Sequence, residues 1–412
     1  MNNNPLKIAI VGGGASGVTA ALFAAKQAAD NHKDVRICIY DSADRLLKKI
    51  LVTGNGRCNL SNTDVSVSHY FGETHLFSCI YDTFDASDTL SFFRDLGLLT
   101  VTDAAGRIYP RSFKAASVAD VLLRALDHAG VETVLNTCIT SLEKRNGGYI
   151  LNGRFYADAV ILSSGGMISA NGKRAESVYQ MLKSIGIAVT PLHPALTAFT
   201  VRDFTKSLKG IRSVGALRLI EKGKTVAKTQ GEIQYTEYGI SGIPAMQLSS
   251  YAARIGSDLP VYIEIDSLPE TDDNSFISHF QHIRSLDAEM PLLLFLTGFM
   301  PKALAAYYVG ECGLKQTQPL KNISPAFLSR ILDCCKRKRY EVKGLRGFEN
   351  AQVTSGGICG SELTDTLMLK KLPRVYACGE LVDVDGDCGG YNLQWAWSSG
   401  AVAGNNCILE IL

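Results

Sequence analysis

The chain has 412 residues, 46% hydrophobic and 20% charged, with 42 Lys and Arg against 40 Asp and Glu for a formal charge of +2. This length exceeds the usual single domain and predicts two, while the composition excludes a disordered chain. The balanced charge leaves no electrostatic footprint for nucleic acid or an anionic membrane, so a small-molecule substrate is expected.

The opening MNNNPLKIAIVGGG has no basic n-region, and its apolar run of about five residues is too short for a signal segment or a membrane span. A cytoplasmic protein is expected. Eleven cysteines without C-x-x-C or zinc-like spacing read as reduced thiols, mostly small core residues, and the adjacent Cys334 and Cys335 do not form a metal motif. No pair of the seven histidines has metal-ligand spacing except His279 and His282, which lack a third ligand. Hydrolytic motifs are missing too: there is no Gly-x-Ser-x-Gly elbow and no Walker loop.

Lys7 to Val11 is rich in β-branched residues, as in a strand buried on both faces, and Ala15 to Ala29 reads as a helix. Between them Gly12-Gly13-Gly14-Ala15-Ser16-Gly17 spells G-x-G-x-x-G. Gly12 allows the tight turn, Gly14 lets backbone approach a pyrophosphate, and Gly17 lets the helix pack on the strand, with free amides at the helix start facing the phosphate. A second strand, VRICIYD, ends at Asp41, about 20 to 25 residues on, where an acid serves the adenosine ribose hydroxyls. An acid there repels a 2′-phosphate, which favours FAD or NAD over NADP.

VTGNGRCNLSN places glycines, amides and hydroxyls around Arg57, which suits a loop on a pyrophosphate or flavin edge; a surface turn with a solvated Arg is the alternative. Strands around a hairpin at Gly147-Gly148 follow, and ILSSGG then ends a strand in Ser163 to Gly166. That exit resembles the second glycine turn of two-dinucleotide-fold flavoproteins; an ordinary strand exit is the alternative. ESVYQMLKSIGIAVTPL reads as a helix and a strand of the same domain.

Thr197 to Ile265 has β-branched runs between glycine turns and reads as a β region, and Asp272 to Tyr340 reads as helices. The run MPLLLFLTGFMPKALAAYY reads as a core helix, with the wall of an apolar substrate pocket as the alternative, and KRKR at Lys336 to Arg339 reads as a solvated helix end, with a clamp on a nucleotide phosphate as the alternative. In the last stretch an apolar strand, Val375 to Cys378, runs into Gly379 and Glu380, then an acid-rich loop and a helix starting near Tyr391. Such an ending is similar to that of flavoproteins whose carboxylate accepts from ribityl hydroxyls and whose helix start faces the N1 and C2=O side of the flavin, where reduction places negative charge.

The stretches LLKKILVTGNGRCNLSN, GRIYPRS, GEIQYTEYGISGIPAMQLS and AQVTSGGI with VYACGELVDVDGDCGGYNLQWAWSSGAVAG resemble the bacterial NAD(P)/FAD-dependent oxidoreductase flavoprotein family, which includes 3-dehydro-bile-acid reductases and aminoacetone oxidases. Departures are Asp41 where many members carry Glu, and SSGG where ATGG is common. The resemblance implies an α/β fold: a two-dinucleotide-fold-type, Rossmann-like FAD domain with an inserted mixed β-barrel and helical domain. The expected boundaries are 1–193 and 345–412 for the FAD domain and 194–344 for the insert.

Motifs and resemblance together place FAD against Gly12, Gly14, Ala15, Ser16, Gly17, Asp41, Arg57, Cys58, Asn59, Ser164, Gly165, Gly379, Glu380, Gly390, Asn392 and Leu393. Catalytic candidates are Cys388, Tyr391 and Asn392 at the last helix start, with Tyr235, Tyr238 and His193 able to reach in from the insert. A capping Cys388 would have a lowered pKa; a packing residue chosen for size is the alternative. Three functions stay open: hydride transfer from NAD(P)H through FAD to an activated C=C such as the enone of a 3-oxo steroid or bile acid, oxidation of a small amine such as aminoacetone by oxygen, and a non-enzymatic flavin sensor. Substrate, nicotinamide preference and oligomeric state do not follow from the residues.

Overall fold

The computed structural model describes residues 5–168, 172–255 and 260–411. Residues 1–4, part of the opening read as lacking a leader, lie outside the described residues. The chain divides into two compact units, Met1–His193 with Val353–Leu412, and Pro194–Gln352.

The first unit is built on a five-stranded parallel sheet in the order Val375–Ala377, Ala159–Leu162, Leu6–Val11, Val35–Tyr40 and Glu132–Val134. Its central strands are buried on both faces, which is why they carry near-continuous apolar runs. The helix Ala15–Asp30 follows the first strand. The last helix, Tyr391–Leu409, lies along it, and the contact is made by small residues. A Cβ on Gly400 would stand 2.5 Å from the Ser16 carbonyl, and one on Gly404 would stand 2.4 Å from that of Ala20. Residues far apart in sequence thus share one core around Val18, Ile161 and Trp397. The expected strand in IAVTPL is reduced to an isolated bridge between Val189 and Ile358.

The second unit is a closed six-stranded barrel of Phe199–Val201, Gly239–Ser241, Lys224–Tyr235, Arg212–Glu221, Val261–Asp266 and Lys338–Leu345. On the strand between Arg212–Glu221 and Lys338–Leu345, Glu264 stands opposite Arg218 on one side and Arg339 on the other. Arg218 Nη1 donates to it at 2.6 Å and Arg339 Nε at 2.8 Å. The helices of this unit are Ile243–Ala253, which interrupts the stretch expected to be β, and Asp273–Leu286, Leu292–Thr297, Lys302–Glu311 and Pro325–Lys336, and MPLLLFLTGFMPKALAAYY supplies core side chains from Leu292 to Tyr308.

KRKR is not a solvated helix end. The helix stops at Lys336, whose ammonium is buried against Asp266 and the carbonyls of Leu268 and Thr271, and the next three residues open or precede the closing strand. That strand needs Leu345 opposite Phe199, so the compact unit runs past the expected return at 345 to Gln352.

Candidate functional site

Within the first unit the glycine loop has the packing its spacing implies. A Cβ on Gly17 would lie 1.9 Å from the Gly12 carbonyl oxygen, so only glycine lets the helix sit this close to the strand exit. At Gly14 the opposite holds: an added Cβ meets nothing within 4 Å. Gly14 is the N-cap of the helix and offers no capping side chain, so Ala15 and Ser16 begin a helix whose orphan amides are left to a ligand. Asp41 fixes the loop, accepting from the Gly13 amide at 2.6 Å and from the Ala43 amide at 2.7 Å.

Two other stretches converge on this loop. A Cβ on Gly379 would stand 2.3 Å from Ser16 Oγ, which puts the ACGE turn on the first helix start. Glu380 beside it accepts from the Thr354 amide at 2.7 Å and from Lys49 Nζ at 2.6 Å. Each carboxylate oxygen keeps a second lone pair, so a hydroxyl can still donate to it. Lys49 was not among the residues singled out from the sequence.

GRCNLSN docks on the last helix start. Asn62 Nδ2 donates to the Gly389 carbonyl at 2.9 Å, and Ser61 Oγ donates to Gln394 Oε1 at 2.7 Å. Gly390, at φ +104°, is the N-cap of that helix, again with no capping side chain, and a Cβ there would collide with the Ser61 carbonyl at 2.3 Å. Leu393 is partly buried against the surrounding core.

The donor set fits a dinucleotide flavin. Asn59 Oδ1 and Ser164 Oγ are buried and find no hydrogen-bond partner among the described residues. Both belong to the expected cofactor set, and a buried polar atom costs about 1–3 kcal/mol when left unpaired. Gly165, at φ +75°, continues the turn from Ser164 with no atom closer than Glu380 Oε2 at 4.0 Å to an added Cβ. Arg57 lies outside this buried set: it is exposed, with its guanidinium 5.2 Å over the Tyr109 ring and Nε on the Gly54 carbonyl. Cys58 is fully buried, and burial pushes its thiol up to about 12.

The catalytic candidates separate sharply. Cys388 does not have the lowered pKa of a capping thiol: burial pushes it up to about 12 and the neighbouring Asp387 adds to the effect. Asn392 is spent on its own loop, accepting from the Gly386 amide at 2.9 Å and donating to the Gly386 carbonyl at 2.7 Å. Burial raises Tyr391 to about 12. Tyr235 is a buried core residue of the barrel, Tyr238 packs 4.5 Å beneath the Arg346 guanidinium, and His193 is exposed.

A group the sequence reading missed stands at the same helix start. His69 stacks on Tyr391 with ring centroids 4.3 Å apart. Its Nδ1 lies 3.2 Å from Asp387 Oδ2 and its Nε2 lies 3.4 Å from Asp64 Oδ2. Burial raises the Asp387 carboxyl above its ordinary value, with His69 pulling the other way. Both ring nitrogens of His69 thus face a carboxylate oxygen.

Glycine turns that leave one helix start open and bring a second to the same domain define a dinucleotide-binding flavoprotein, and the chain is an FAD-dependent oxidoreductase. It belongs to the HI0933-like protein Rossmann domain family, which matches residues 6–406. It is 36% identical over 406 residues to the 3-dehydro-bile acid delta(4,6)-reductase of Clostridium scindens, covering 97% of this chain and 98% of that one. A ribosomal RNA dihydrouridine synthase of Haemophilus influenzae is 26% identical, with 95% of each chain covered. The solved 3-ketosteroid delta1-dehydrogenase of Sterolibacterium denitrificans shares the fold at a TM-score of 0.50 and 12% identity, covering 99% of this chain and 100% of that one. Among the described residues no helix is long and apolar enough to cross a membrane.

Proposed function

We propose that this protein is a cytoplasmic reductase that passes hydride from NAD(P)H, by way of FAD, to an activated C=C in the enone of a 3-oxo steroid such as a bile acid. The substrate class rests on the whole-chain likeness to the Clostridium scindens reductase. The observation that carries the chemistry is the pairing of an open glycine cradle with a histidine held between two carboxylates at the second helix start.

In this reading the open amides at Gly14 to Ser16 bind the pyrophosphate, Asp41 the adenosine ribose, and Ser164, Glu380 and Asn59 the remaining polar edge. The uncapped helix start at Gly390 would offer partial positive charge to the pyrimidine side of a bound flavin. When bound, FAD supplies a two-electron carrier able to accept hydride from one partner and deliver it to another. Saturating an enone also needs a proton at the adjacent carbon. His69 provides it from Nε2, giving up the contact with the exposed Asp64, while Asp387 at Nδ1 keeps the ring oriented and Tyr391 fixes its plane.

The test is an anaerobic visible spectrum of the purified protein with NADH, NADPH or an amine added in turn. Bleaching of a flavin band by a reduced nicotinamide, and its return on adding a 3-oxo-4-ene steroid, is the expected result. Bleaching by aminoacetone alone, with peroxide formed on admitting air, would overturn it in favour of the oxidase. A band that none of these reagents reduces would favour the sensor.

A further inference from the structure

The second unit holds a pair of thiols that the flavin chemistry does not use. Cys312 caps the C-terminus of the helix Lys302–Glu311, and Cys334 lies in the last turn of Pro325–Lys336. Their sulfurs are 3.6 Å apart, with Cys312 donating to Cys334. Cys312 is buried, whereas Cys334 is partly exposed to solvent.

Surroundings distinguish the two sulfurs further. Lys338, paired with Glu311 and 5.6 Å over the Tyr307 ring, and Arg330, one helical turn before Cys334, place positive charge beside the exposed sulfur. The hydrogen bond from Cys312 lowers the Cys334 thiol below its ordinary value, with Lys338 and Arg330 acting in the same direction against burial and Glu311. That hydrogen bond also holds Cys312 protonated and raised. Cys335, the next residue, is fully buried and raised by burial, so it is not an equivalent target.

We propose that Cys312 and Cys334 form a reversible thiol–disulfide pair, in which Cys334 reacts with a hydroperoxide and Cys312 resolves the product. The Cys334 thiolate attacks the peroxide oxygen, the O–O bond breaks, and hydroxide leaves as the sulfur becomes a sulfenic acid. Cys312 then attacks that sulfur; the S–S bond forms, the S–O bond breaks, and the departing oxygen leaves as water with the Cys312 proton. In total two thiols and one hydrogen peroxide give one disulfide and two waters. The sulfurs must close from 3.6 Å to about 2.05 Å.

The experiment uses the reduced full-length holoprotein, treated with hydrogen peroxide, blocked with N-ethylmaleimide and read by intact mass and peptide mapping. The expected result is two fewer maleimide adducts, a cross-linked peptide joining Cys312 to Cys334, and reversal by dithiothreitol. Cys312→Ser should instead accumulate a Cys334 sulfenic acid trapped by dimedone, and Cys334→Ser should slow peroxide-driven thiol loss at the pair by at least about tenfold. Retention of maleimide at both sites in the wild type, or a cross-link through Cys335, would overturn the proposal. The wild-type peptide map decides this even if either variant folds poorly.

Discussion

Lys49 Nζ and Glu380 Oε2 stand 2.6 Å apart across 331 residues of sequence, so the loop after the second strand is tied to the turn before the last helix. The same carboxylate holds the Thr354 amide. Lys49→Met and Glu380→Gln should each cost the apoprotein less than about 1 kcal/mol, because the ammonium is partly exposed. Each should nevertheless loosen FAD, and the double variant should lose less affinity than the sum of the singles. Urea unfolding of the apoprotein and flavin-release titrations check the two parts.

Gly14→Ala and Gly17→Ala differ by three positions and should fail differently. At Gly14 there is open space and an ordinary φ of −79°, so the apoprotein should keep its stability while FAD affinity falls by at least about tenfold, or 1.4 kcal/mol. At Gly17 the new methyl meets the Gly12 carbonyl, so the fold itself should lose about 1–3 kcal/mol. Thermal melts of the two apoproteins beside FAD titrations separate the cases.

His69→Gln should leave reduction by a nicotinamide within about threefold of wild type and slow reoxidation by an enone by about 100-fold, the usual loss when a proton donor is removed. Stopped-flow absorbance of the two half-reactions reads this directly. Equal slowing of both would assign His69 to holding the helix start rather than to proton transfer.

Glu264→Gln should weaken the barrel by about 2 kcal/mol at neutral pH, below the cost of breaking a fully buried pair because Arg339 is exposed. Burial acting alone would raise the Glu264 carboxyl, but Arg339 and Arg218 outweigh it and the folded value lies below the ordinary one. The contribution is therefore complete above the unfolded glutamate value and is lost as pH falls through the lower folded value. Denaturation midpoints of wild type and variant should converge over that acid window.

The parts of the site legible in the sequence are those whose physics is local. G-x-G-x-x-G reads directly because a strand, a turn and a helix start must occur within a few residues, and Tyr391 as a helix start reads from the glycines before it. His69 carried no such mark: its partners Asp387 and Tyr391 come from the other end of the chain, and a single histidine after VSVS has no spacing to betray it. Lys49 was hidden by its neighbour, since Lys48 does pair at the surface with Asp44 while Lys49 turns to Glu380. KRKR misled for a related reason. A run of four cations looks solvated, yet Lys336 finds Asp266 and two carbonyls brought to it by barrel closure.

The close seating of Gly400 and Gly404 on Ser16 and Ala20 has a consequence for biosynthesis. The first helix emerges from the ribosome early, but the surface it must bury against is the last described helix to be translated. Until then its small-residue face stays uncovered and the parallel sheet lacks its strand at Val375–Ala377, while the barrel between them has all its strands and can close first. Emergence of that last described helix, rather than of the nucleotide-binding motif, is the event that lets the flavin-binding unit form, and holding the nascent chain apart during that interval is work suited to a chaperone.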